Sequence, residues 1–151
     1  MSFIMLTTKS NHSSFESAMR RGFWNRLRRK LHRQPTQLVN FEALRDSFKS
    51  FDQTDKGIQP IPIHNIVGSV GRFNEFDRDY MPINDHIEKK WQHIFKLLIH
   101  GIDLPPIDVY QLDSNFYVID GNHRVSVNRF LGIQYVDAHV IEIRKTETFK
   151  S

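Results

Sequence analysis

Phe116-Tyr117-Val118-Ile119-Asp120-Gly121-Asn122-His123-Arg124-Val125-Ser126-Val127-Asn128-Arg129-Phe130-Leu131-Gly132 reads as a strand, a turn and a helix in immediate succession. Aromatic and β-branched residues fill its first positions, as extended backbone prefers. Asp120-Gly121 breaks the run, and Gly132 stands where a helix C-terminus needs a residue that tolerates positive φ. At such a strand-to-helix turn, Gly121 lets the backbone approach a ligand. The first-turn N–H groups are free, and the helix dipole favours an anion. Arg124 adds a forked donor and His123 a donor or proton shuttle near neutral pH. Asp120 could fix either of them or help hold a divalent cation. The pattern points to a phosphate site containing Asp120, Gly121, Asn122, His123 and Arg124; the same residues also read as a plain turn, a helix cap and a surface pair.

Upstream, Leu104-Pro105-Pro106 leads into the alternating Ile107-Asp108-Val109-Tyr110-Gln111, and Asp113-Ser114-Asn115 turns it back into Phe116, which predicts a β-hairpin. Asn84 or Asp85 caps a helix running to about His100, with Ile87, Trp91, Ile94, Phe95 and Leu98 inward and Gly101 as its stop. Gly68-Ser69-Val70-Gly71-Arg72 again pairs glycine with arginine after an apolar stretch, so Gly68, Ser69, Gly71 and Arg72 are candidates for a second phosphate loop facing the same cleft. Phe73 to Pro82 reads as a loop, within which Asp77 is a further candidate base beside Asp120 and His123. Gln59-Pro60-Ile61-Pro62-Ile63 favours an extended edge strand, and Tyr135 to Ile143 supplies a last strand.

The formal charge of +4 on 151 residues hides an asymmetry: residues 1–33 carry eight Lys/Arg against Glu16 alone, a net +7, while the remainder carries 13 against 16, a net −3. After a frayed 1–12, a helix is predicted from Ser13 or Ser14 to about Arg33, with Phe15, Met19, Phe23, Leu27 and Leu31 as a stripe that Trp24 widens. Arg20, Arg21, Arg26, Arg28, Arg29, Lys30 and Arg33 fill the rest and imply an anionic partner: nucleic acid such as DNA, a membrane surface or an acidic protein face. A solvated basic face is the plainer alternative, and the stripe could pack on the body or on a second copy as a homodimer. Thr36 can cap a second helix with Leu38, Phe41, Leu44 and Phe48 on one face, ending before Asp55-Lys56-Gly57. The expected division is 1–12 frayed, 13–58 a basic helical arm, 59–143 an α/β domain and 144–151 a tail.

With 39% hydrophobic and 12% aromatic residues the chain can bury a core. The absence of cysteine excludes disulfides, thiolate catalysis and thiolate metal sites, and the scattered histidines give no zinc pattern. Phe3-Ile4-Met5-Leu6 is too short for a signal peptide and no apolar run has the length of a membrane span, so a soluble cytoplasmic protein is expected.

From Ile61 to Glu142 the chain resembles the ParB N-terminal domain and sulfiredoxin superfamily. Pro62-Ile63-His64-Asn65-Ile66 followed by Gly71-Arg72 is similar to its first box, and Tyr117-Val118-Ile119-Asp120-Gly121-Asn122-His123-Arg124 to its second. The resemblance implies a small mixed sheet with flanking helices, here preceded by two N-terminal helices. It implies nucleotide phosphates, of CTP or of ATP/ADP with Mg2+, at Gly121, His123 and Arg124. Asn122 stands where sulfiredoxins carry their catalytic cysteine and ParB clamps a glutamate. This excludes sulfinic acid reduction and argues against hydrolysis. The expected function is a nucleotide-binding regulatory or DNA-associated module; the alternative is a phosphotransferase, phosphohydrolase or nuclease built on the same site.

Overall fold

The structure is a computed structural model that describes residues 2–146, with side chains from Ser14 onward. Six strands form one mixed sheet in the order β1-β3-β5-β4-β6-β2. The strands are β1 (Val39–Asn40), β2 (Phe51–Pro62), β3 (Ile66–Ser69), β4 (Ile107–Leu112), β5 (Asn115–Asp120) and β6 (Tyr135–Lys145). Strands β1, β3 and β5 run parallel, β4 returns antiparallel to β5 through the expected hairpin, β6 is parallel to β4, and β2 closes the far edge antiparallel to β6. Both sheet faces are covered. Helices α1 (Ser2–Leu31), α3 (Glu88–Ile99) and α4 (Asn122–Phe130) share the main core with Ile66, Val109, Phe116, Val118 and Val140, and α2 (Phe41–Asp46) lies over Leu112, Tyr117 and Ile143 on the other side. This double burial is why successive β5 residues Phe116, Tyr117 and Val118 are all apolar or aromatic instead of alternating. The mixed sheet with flanking helices agrees with the expectation from sequence.

The N-terminal third departs from that expectation. The boundary placed at residue 59 falls inside β2, because Asp55-Lys56-Gly57 does not end an element: Gly57 takes φ +73 and the β2–β6 register slips there as a bulge between Asp55 and Ile58. Prolines 60 and 62 are tolerated because β2 is an edge strand. The second helix starts at Phe41 under an Asn40 cap rather than at Thr36, which frees Val39 and Asn40 to pair with Gly68 and Ser69. Helix α1 begins at Ser2, so the 1–12 stretch is helical in backbone from that residue. Of the 144–151 tail, residues 144 and 145 belong to β6, and 147–151 lie outside the described residues.

The stripe on α1 is not one face. A spacing of four overshoots the 3.6-residue turn by about 40° per step, or about 160° from Phe15 to Leu31. Phe15 and Ala18 are accordingly in the core, Met19 packs at its margin, and Phe23, Leu27 and Leu31 have rotated into solvent.

Candidate functional site

Because β3 and β5 are adjacent and parallel, the loops leaving their C-terminal ends emerge side by side, where open α/β sheets bind ligands. Between those loops and α3 lies a cavity of about 360 Å³ lined by Val70, Gly71, Arg72, Lys90, Ile94 and Ile119 together with Asp120 to Arg124. Seven of the nine residues expected at the phosphate site therefore come together. Gly68 and Ser69 do not reach the cavity. Gly68 is a packing glycine, since a Cβ there would stand 2.5 Å from the Val39 carbonyl oxygen and 2.6 Å from the Tyr117 ring. Ser69 is fully buried.

The turn itself is set by Gly121, which adopts φ +113 and caps α4 without any side-chain hydrogen bond. The first intrahelical bond is Val125 N–H to Gly121 O at 3.0 Å, so the N–H groups of Asn122, His123 and Arg124 have no acceptor within the helix. Asn122 Oδ1 accepts from Ser69 Oγ and from the Tyr80 hydroxyl, both at 2.9 Å. With its carbonyl held twice, the donors this side chain can offer a ligand are its Nδ2 protons.

Arg72 sits at the lip with φ +68, a conformation costly for a residue with a side chain, and half its side chain is exposed beside Glu75 at 3.3 Å. Arg124 is more committed than its place in the motif suggests. Its guanidinium donates to the Pro105 and Pro106 carbonyls at 2.5 and 3.2 Å and pairs with Asp120 at 3.1 Å. It thereby forms the wall between this cavity and a neighbouring one of about 280 Å³ that reaches Asn128, Tyr135 and Asp137.

His123 is buried against the edge of Phe76, ring centroids 5.2 Å apart. Burial, joined by the positive field of Lys90, pushes its imidazole down to about 4; Glu75 pulls the other way, and Arg72 adds the smallest push downward. It is therefore neutral at pH 7. His139 is its counterpart on β6, between β2 and β4: contacts to Asp55 at 2.9 Å and Asp108 at 3.2 Å hold it above the ordinary value. Histidine NMR titration should therefore separate the two, with His139 losing its proton above 6.5 and His123 near 4. The linkage signs are opposite. Between about pH 6.5 and 4 the unfolded chain takes up a proton that folded His123 refuses, so that contribution falls with acid. The His139 contribution is complete below about 6.5 and disappears as pH rises through its folded value.

Other candidates have structural roles. Asp77 is fully buried and accepts from Arg26 at 2.8 Å and from the N–H groups of Met81 and Asp79 at 2.9 and 3.0 Å, so it is a bracket for its loop and not a base. Arg29 forms a two-pronged pair with Asp79, at 2.9 and 2.8 Å, and Arg21 donates to the Phe130 carbonyl and lies over its ring. These three cations of the expected nucleic-acid set hold α1 to the body. Arg20 and Arg28 donate to Ser17 and Asn25 on their own helix, and Lys30 and Arg33 are exposed. Among the described residues no three or more His, Asp or Glu side chains converge as a metal would require.

Lys90 and Ile94 were not legible as site residues. They sit on the polar and half-buried flanks of an ordinary amphipathic helix, and only the packing of α3 on α4 brings them over the Gly121 turn.

No family model matches the chain, and no curated protein matches it. Among solved structures it is similar to sulfiredoxin from Arabidopsis thaliana, at 22% identity over 59% of this chain and 85% of that one, with a TM-score of 0.42, a likeness of fold.

Proposed function

We propose that the cavity binds the phosphate of a nucleotide and that the protein is a binding module rather than an efficient catalyst. The observation that carries this reading is the uncapped start of α4, whose N–H groups open on a cavity with Arg72 and Lys90 at its walls. Val70, Ile94 and Ile119 supply apolar wall for the rest of the ligand. The nucleotide, as against another phosphate ester, is supported by the resemblance of Tyr117 to Arg124 to a nucleotide-binding turn. Slow or absent turnover follows from the residues present: Asn122 is no base and its carbonyl is occupied, and His123 is neutral and buried. Asp120, largely exposed at the rim, is the carboxylate available to Mg2+ carried in with the phosphates.

Calorimetric titration with nucleoside mono-, di- and triphosphates, with and without Mg2+, tests the reading. Arg72→Ala and Lys90→Ala should each weaken binding roughly tenfold to a hundredfold, the range for one charge-assisted contact. Both side chains are exposed at the lip, so neither change should alter thermal unfolding appreciably. Retained affinity in both variants, or rapid nucleotide consumption dependent on Asp120, would contradict the proposal.

A further inference from the structure

The rotation of the α1 stripe leaves large apolar side chains in solvent. Phe23, Trp24, Leu27 and Leu31 are all exposed, Trp24 at 61% and Leu31 at 76%. At about 100° per residue the four fall within an arc about 100° wide. Phe23 and Trp24 pack edge to face within it, ring centroids 5.3 Å apart. On the same helical wheel Lys30 lies about 20° beyond one margin, Arg28 about 40° beyond the other, and Arg20 continues the arc one turn toward the N-terminus. The opposite side of the helix is fastened to the body through Arg26–Asp77 and Arg29–Asp79, so the outer strip is presented by a docked helix rather than by a loose arm.

We propose that this strip docks on an anionic lipid bilayer. The helix then lies in the plane of the interface, with Phe23, Trp24, Leu27 and Leu31 at the headgroup–acyl boundary and Arg20, Arg28 and Lys30 on the lipid phosphates. Charge complementarity selects the occupant. A second copy would bring two rows of like charge together around the same strip. A nucleic-acid duplex would satisfy the cations and leave four apolar side chains in water. An anionic bilayer takes up both, and Trp beside Leu with flanking Lys/Arg is the composition that in-plane helices use. The contact is a surface one, since among the described residues no helix is long and apolar enough to cross a membrane.

The test is flotation of the full chain with vesicles of phosphatidylcholine alone and with about a third phosphatidylglycerol, read together with tryptophan emission. Trp91 is fully buried, so a blue shift on binding reports Trp24, and Trp24→Phe should abolish it. Anionic vesicles should carry the protein and shift its emission while neutral ones do neither. Leu27→Glu with Leu31→Glu should lower vesicle binding roughly tenfold or more, and circular dichroism should show the same fold because both positions face solvent. Failure to float with anionic vesicles, or flotation indifferent to the double substitution, overturns the proposal. Two further outcomes also overturn it: duplex DNA binding in place of vesicle binding, and a concentration-dependent dimer that the double substitution dissolves.

Discussion

Gly121→Ala should lower stability by about 3 to 5 kcal/mol and abolish the nucleotide binding proposed for the cavity. Two costs combine at this position. The backbone holds φ +113, a region that residues with a side chain rarely adopt. The added methyl would also stand 2.5 Å from Ile107 Cγ2 and 2.9 Å from its Cβ. Ile107 cannot withdraw, because it is buried in β4 and paired with Ala138 of β6. Gly132→Ala separates the terms: that glycine also has positive φ, at +79, yet nothing lies near its missing Cβ. It should lose only about 1 kcal/mol, the backbone cost alone. Urea unfolding of the two variants makes the comparison, and equal losses would show that Ile107 yields and that the turn is less constrained than its packing indicates.

Arg26→Ala is expected to cost about 3 kcal/mol at neutral pH, because it leaves the Asp77 carboxylate in the core without its counter-ion. The two backbone N–H groups from Asp79 and Met81 remain and keep the loss toward the lower end of the range for broken buried pairs. The loss should also depend on pH. Burial already pushes Asp77 above its ordinary value, and without Arg26 it rises further. A carboxyl with a raised folded value contributes stability that is present below its unfolded value and disappears as pH climbs through the folded one. The deficit of Arg26→Ala relative to the parent should therefore be small near pH 4 and grow toward pH 7.5. Adding Asp77→Asn should recover part of it, since no buried charge is then left unpaired. A deficit that is flat with pH would mean that Asp77 reaches solvent once Arg26 is gone.

The legible part of the fold was the part whose signals are local. The hairpin of β4 and β5, the Gly121 turn, α4 with its Gly132 stop and α3 with its Gly101 stop each depend on residues within a few positions of one another. The first sixty residues depend on partners far away. Val39 and Asn40 are a strand only because Gly68 leaves room for their approach, and Phe51 to Pro62 is one strand only because β6 pairs along its whole length across the Gly57 bulge. The seven-residue group at the cavity was readable because glycine and arginine follow strand ends in both loops. Lys90 was not, since its place is fixed by helix packing. Nor could the pattern Phe76-Asp77-Arg78-Asp79-Tyr80 disclose its use: as sequence it is a charged loop, and in the fold Asp77 and Asp79 receive α1 while Phe76 and Tyr80 buttress His123 and Asn122.

In the function proposed for the cavity, the first turn of α4 receives phosphate. His123 supplies a built-in reporter, because the positive fields of Lys90 and, to a smaller extent, Arg72 add to the burial that holds its imidazole at about 4. A bound anion cancels part of that field. NMR of labelled protein titrated with the nucleotide that binds best should show the backbone amide resonances of Asn122, His123 and Arg124 moving together. The midpoint of the His123 titration should rise while His139, two strands away from β5 on β6, keeps its own. If amides elsewhere move and those three with His123 stay where they were, the ligand binds outside the cavity and the account of the site is wrong.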